Sequence, residues 1–303
     1  MNPDKNISAA VRKILDSGFF LFLICCMSEI RKTIILFTVL LFLFSCSGKK
    51  TGETGISSQI DKTVKKAAAW IYKQADENER FDSLIMLNYI CRYSDEKNLI
   101  KACRIIEEKQ KEDDDNPFRR IWDPEFRSPE EYINGWAVPE ISENRVNVNR
   151  VMLELLYCSD YGIRNQTLNY IENIMLDGGG YHTTHGLWAI VLSAQNGCLS
   201  DEGFRRLADP YVEELYDIQP EKLNEISAEI VDLFAERTVM ILMSVSINTE
   251  YSKPEQLRHY ISVIAEAQNK DGCWGSESEN PDLVFHSALL CVWALQLFNS
   301  MVI

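Results

Sequence analysis

PEQLRHYISVIAEAQ (residues 254–268), NKDGCWG (269–275) and FHSALLCVWALQLF (285–298) are the lines of sequence on which the fold turns. In the first segment Leu257, Tyr260, Ile261 and Ile264 recur at helical spacing, with charges on the other face. That pattern predicts an amphipathic helix. The second segment is rich in turn formers and predicts a break in the helix. From Ala288 to Phe298 the third is apolar nearly all round, as in a helix enclosed by others. Amphipathic helix, Gly-Trp loop and apolar helix together make a hairpin.

Working outward, the same hairpin recurs. Ile60–Gln74 pairs with Phe81–Tyr93, Lys97–Lys111 with Asn149–Cys158, Arg164–Leu176 with Thr184–Gln195, and Asp201–Ile218 with Ile226–Ile247. In each pair the second member is the more apolar. Pro210 is expected to kink or break its helix, because it removes a backbone hydrogen bond and crowds the preceding turn. Alternating amphipathic and apolar helices at a period of roughly 40–50 residues indicate an all-α array of helical hairpins. Such an array is either open, as a solenoid, or closed into inner and outer rings.

The N-terminal region reads differently. Arg31 and Lys32 precede an apolar run from Ile34 to Phe44, followed by Ser45 and Cys46. The run is shorter than the 20 or so residues of a spanning helix and matches the core of an export signal. A small residue before Cys46 resembles the lipobox of bacterial lipoproteins, which implies a Cys46 that is lipidated and anchors the chain in a membrane of the cell envelope, facing away from the cytoplasm. A second, weaker apolar run at Phe19–Cys26 makes Met27 the more natural start, with residues 1–26 as a mis-assigned extension. The expected organisation is then a signal region to residue 45, a flexible tether over 46–58, and one helical domain over 59–303 with an insertion at 113–148.

The chain has 303 residues and a net charge of −14; residues 46–303 alone carry −16. So acidic a body argues against nucleic acid as a partner, since phosphate contacts need clustered Lys and Arg. Six of the nine cysteines lie in the body, and Cys91, Cys103, Cys158 and Cys291 sit in apolar helical stretches. Free, buried thiols are the expectation there.

Gln268, Gly272 and Trp274 form a Gln-Xaa3-Gly-Xaa-Trp signature, with degenerate copies at Ala69–Gln74 and Asp177–Gly180. In these residues the chain resembles the terpenoid cyclase and protein prenyltransferase toroids. The resemblance implies an α/α toroid in which an inner ring of helices is wrapped by an outer ring and the ligand sits in the central cavity. Five hairpins are present where a complete toroid has six, so a partial ring, or one completed by the insertion, is expected. The family's zinc ligands and its Asp-rich proton donor have no counterparts: Tyr181-His182-Thr183-Thr184-His185 stands where an Asp and a Cys are needed, and the one Asp cluster, 113–115, marks a solvated helix end.

Asp82, Asn149, His185, Glu236 and His286 each begin an apolar helix, so parallel inner helices are expected to bring them to one mouth of the ring. Asp82 and Asn149 also suit N-caps. Three of the four histidines, His182, His185 and His286, fall at matching positions. They are candidate ligands for a divalent ion such as zinc, which imidazole suits, or candidate catalytic groups together with Asp82 and Glu236. Tyr181, Trp188 and the loop tryptophans Trp122 and Trp136 are candidates for contact with a ligand. Asp271-Gly272-Cys273 lies at the far end of the repeat and reads as structural. The leading expectation is a lipid-anchored protein binding a small or extended ligand in the central cavity. The alternatives are a metal- or His-dependent hydrolase or lyase acting on glycans, and a scaffold for other envelope proteins.

Overall fold

Apolar residues recurring every three to four positions fold into helices throughout. The structure, a computed structural model, describes residues 53–77, 81–110, 116–121, 123, 125, 126, 148–276 and 278–301. Among these there is no strand, and the chain is all-α. The helices are α1 (Glu53–Gln74), α2 (Phe81–Tyr93), α3 (Lys97–Gln110), α4 (Val148–Leu156), α5 (Cys158–Tyr161), α6 (Asn165–Tyr170), α7 (Gly180–Gln195), α8 (Asp201–Ile218), α9 (Ala228–Ile247), α10 (Pro254–Glu266) and α11 (Pro281–Ser300). A 3₁₀ turn covers Pro117–Ile121 and a π-turn, Ile171–Met175, continues α6.

The apolar helices neighbour one another in a definite order. Going along the chain, α4 packs on α7, α7 on α9 and α9 on α11; α11 in turn packs on α2, which comes first in sequence. The amphipathic helices cover them: α3 lies on α2, the π-turn and α8 on α7, α8 also on α9, and α10 on both α9 and α11. Between α2 and α4 the 3₁₀ turn acts as a bridge. Arg92 of α2 donates to the Ile121 carbonyl (2.6 Å), and the Tyr157 hydroxyl, just past α4, donates to the Pro117 carbonyl (2.8 Å).

Helix α11 is long and apolar enough to cross a membrane, but 72% of its apolar window is buried within the protein. It is the core helix of the array. Close packing elsewhere depends on small residues. A Cβ on Gly186 of α7 would come within 2.6 Å of the Tyr211 ring of α8.

The Gly-Trp loop joins α1 to the hairpin of α10 and α11. Trp274 is fully buried and its indole N–H donates to the Ile264 carbonyl at 2.7 Å. Asn269 Oδ1 accepts from the backbone N–H groups of Asp271, Gly272 and Cys273 and so shapes the turn. Gln268 Nε2 donates to the Thr63 carbonyl of α1, and Lys66 Nζ donates to the Asn269 carbonyl. Asp271-Gly272-Cys273 thus forms the turn that Asn269 closes.

Several boundaries differ from expectation. Helix α1 begins at Glu53, inside the segment 46–58 expected to be a flexible tether. Helices α7 and α11 begin earlier than their apolar runs, at Gly180 and Pro281, because their first turns are polar and carry no apolar period. Pro210 neither breaks nor ends α8, which continues from Asp201 to Ile218. Cys158, expected as a free thiol, is disulfide-bonded to Cys198 across 40 residues; Cys91, Cys103 and Cys291 are free thiols, as expected.

Candidate functional site

A cavity of about 220 Å³ lies among the apolar helices, and α2, α4, α7, α9 and α11 all contribute to its wall. Asp82, Asn149, His185, Glu236 and His286 line it together, so five residues spread over more than 200 positions of sequence are gathered at one place. Phe118 of the 3₁₀ turn lines it too. Thus the insertion supplies part of the wall.

The helices position these groups from within rather than at their ends. His185 and His286 stand in the second turn of α7 and α11, and Glu236 in the third turn of α9. The expectation that each opens its helix is corrected for these three. The partial positive charge of a helix N-terminus fades within the first turn, so here the electrostatics come from side chains. Asp82 and Asn149 do stand in the first turns of α2 and α4.

Two histidine–carboxylate pairs dominate. His286 Nδ1 lies 2.6 Å from Asp232 Oδ1. His185 Nδ1 lies 2.8 Å from the Tyr181 carbonyl and 3.2 Å from Glu236 Oε1. Both carboxylates are buried and held by further donors: Thr184 Oγ1 donates to Glu236 Oε1 (2.9 Å), the Tyr181 hydroxyl to Asp232 Oδ2 (2.9 Å), and Ser287 Oγ lies 3.1 Å from Asp232 Oδ1. Burial works against a proton on His185, while bonding to Glu236 and the Tyr181 carbonyl favours it; the balance raises the pKa. His286 is likewise disfavoured by burial but raised by Asp232, then Asp82 and Glu236. The charge of each imidazole lowers the other's readiness to ionise, as the influence of His286 on His185 shows.

With Nδ1 occupied, Nε2 is the remaining ring nitrogen on each histidine, and it has no protein partner among the described residues. A neutral imidazole so held offers a lone pair at Nε2 with a carboxylate behind it to stabilise the imidazolium that forms. That is the arrangement of an oriented general base. Glu236 Oε2 is buried and unpartnered.

The sequence-based candidates divide cleanly. His185, His286, Asp82, Glu236, Asn149 and Trp188 share the cavity. His182 is exposed and outside its lining, packed over Gly178. The three-histidine metal site is therefore not assembled, and among the described residues no group of three or more His, Cys, Asp or Glu is placed to hold a metal. Tyr181 is 43% exposed and outside the lining; it orients Asp232 instead of meeting a ligand in the cavity. Trp122, Trp136 and Cys46 lie outside the described residues. Asp232 was absent from the candidates, yet it anchors half of the site. Its sequence signal is a pair of acids four apart, Asp232 and Glu236, in a helix that is otherwise apolar at its centre.

Set beside known proteins, the chain matches no protein-family model, no curated protein and no solved structure.

Proposed function

We propose that this chain is an α/α-toroid protein that binds a small ligand in a central cavity, and that it is held at a membrane of the cell envelope by a lipid on Cys46. One observation carries the cavity reading. Five apolar helices from the whole length of the domain contribute to a single hollow, each with a polar side chain in it. The packing of α11 on α2 supports a ring rather than a straight stack, because a stack leaves its first and last repeats apart. The resemblance of Gln268, Gly272 and Trp274 to the toroid signature supports the same reading.

Native mass spectrometry of protein prepared without denaturation tests it. A ligand adduct is expected in the wild type and is expected to be lost from Met240→Trp, which fills the hollow. A folded protein that carries no adduct and shows no thermal shift with any member of a broad small-molecule panel would end the proposal. The anchor has its own test: a lipid-mass increment that Cys46→Ser abolishes.

A second reading is favoured by the paired Nδ1 contacts. His185 with Glu236 and His286 with Asp232 are built like general acid–base groups, which supports a His-dependent hydrolase or lyase, glycans being one substrate class for such chemistry. Turnover lost in His286→Ala with ligand binding retained is the result expected from it.

A further inference from the structure

The cavity is layered. On α2 Asp82 is followed one turn later by Met86, on α7 His185 by Trp188, on α9 Glu236 by Met240, and on α11 His286 by Leu290. Residues three or four apart share one helix face. A polar tier is therefore backed by an apolar one. The tiers match between helices: His286 feels the charges of Asp82 and Glu236 at the polar end, while rings of α2, α7 and α11 meet at the other. There Tyr89 stacks on Trp293 at 4.7 Å, and Trp188 meets Trp293 edge to face at 6.3 Å. These rings form an aromatic floor.

Within the polar tier most groups are already satisfied. Each imidazole has its own carboxylate, so these four groups offer no surplus positive charge to an anionic head. What is left over are acceptors: Nε2 of each neutral imidazole and one carboxylate oxygen. Glu236 has a side chain 6% exposed, and its Oε2 has no partner although Oε1 takes Thr184. A buried carboxylate oxygen without a donor is costly, and the ligand is the group placed to relieve it. The indole N–H groups of Trp188 and Trp293 are also buried, and they belong to the aromatic floor rather than to the polar tier.

We infer that the cavity takes a small apolar alcohol, whose hydroxyl donates to Glu236 Oε2 and whose hydrocarbon body rests on the Met86, Met240, Leu290 and Trp188 tier above the aromatic floor. The inference rests on the cavity-binding reading above. The size fits: about 220 Å³ is below the range of pockets that enclose drug-sized ligands.

Isothermal titration with benzyl alcohol, toluene and benzoate separates the possibilities. Benzyl alcohol is expected to bind at least tenfold more tightly than either of the others, and Glu236→Gln to erase most of that preference. Toluene or benzoate binding as tightly as the alcohol to the wild type would overturn the inference while leaving cavity binding intact. So would an undiminished preference in a folded Glu236→Gln variant. If none of the three binds to the folded wild type, the inference falls, while the cavity reading still stands or falls on the adduct and panel test above. Should Glu236→Gln not fold, the wild-type ranking decides alone.

Discussion

Two single residues carry sharp expectations, one in the site and one in the frame. Asp232→Asn removes the anion that raises the His286 pKa, so burial meets less opposition and the pKa falls below its wild-type value. Titration of the His286 ring by NMR reads this directly, and an unchanged midpoint would show that the pairing has been misjudged. The pH dependence of stability follows the same pair. A histidine whose native pKa exceeds its unfolded value of about 6.5 binds its proton more tightly when folded. Its contribution is complete below that value and is lost as pH rises through the native pKa. The stability gap between wild type and Asp232→Asn should therefore narrow as pH rises from about 6.5 through the raised native pKa of His286. In the frame, Gly272 has φ +102°, and a Cβ there would lie 2.7 Å from the Lys66 carbonyl oxygen. Gly197 has φ +72° with open space around it. Both alanine substitutions carry backbone strain of about 1–3 kcal/mol, but only Gly272→Ala adds a clash with main chain that has no free rotamer to move. Urea midpoints should drop more for Gly272→Ala; equal drops would mean that the contact with α1 is slack.

At the scale of elements, the Cys158–Cys198 bridge ties the turn after α4 to the loop after α7. Closing 40 residues of chain lowers the entropy of the unfolded state, so Cys198→Ser should cost about 2–4 kcal/mol. Denaturant melts with and without reductant check it, since reductant should bring the wild type down to the variant and leave the variant unmoved. This bridge also marks what a sequence can tell. Helices α8, α9 and α10 were legible from the apolar period alone, since burial on one face leaves a residue-by-residue record. The first turns of α7 and α11 were not: Gly180–Thr183 and Pro281–Leu283 are fixed by local hydrogen bonding and by the Asn280 cap, with little apolar repeat to betray them. Disulfide pairing is a matter of distance in the folded state, and Cys158 and Cys198 carry no spacing that announces it. In the site, His185 and His286 stood out because histidine is rare in this chain. Asp232 did not, because an acid inside an otherwise apolar helix is indistinguishable by type from a solvated one until its partners, His286, Tyr181 and Ser287, are brought up by other helices.

At the largest scale, the decisive feature is that the first helix described meets the Gly-Trp loop of the last hairpin. Helix α1 opens the described domain and the Gly-Trp loop lies near its close, yet Gln268 Nε2 reaches the Thr63 carbonyl at 3.0 Å across 205 residues of chain. The same amide lies 3.1 Å from the Gly272 carbonyl, so one side chain both braces its own loop and holds the far element. Trp70 of α1 adds a ring contact with Phe285 of α11 at 6.1 Å. If α1 and the loop are one cooperative unit, weakening the link must loosen both together, because local opening occurs in contiguous packed units and not in single strands of sequence. Gln268→Ala removes two hydrogen bonds that are each worth about 1 kcal/mol. Hydrogen exchange should then quicken over α1 and over residues 266–276 by similar factors, with α3 and α8 unaffected. Faster exchange confined to 266–276 would mean that α1 is held by its own packing and not by the Gln268 bridge. In that case the packing of α11 on α2 and α1 carries more of the link than the amide does, and Gln268→Ala should lower the urea midpoint less than Phe285→Ala.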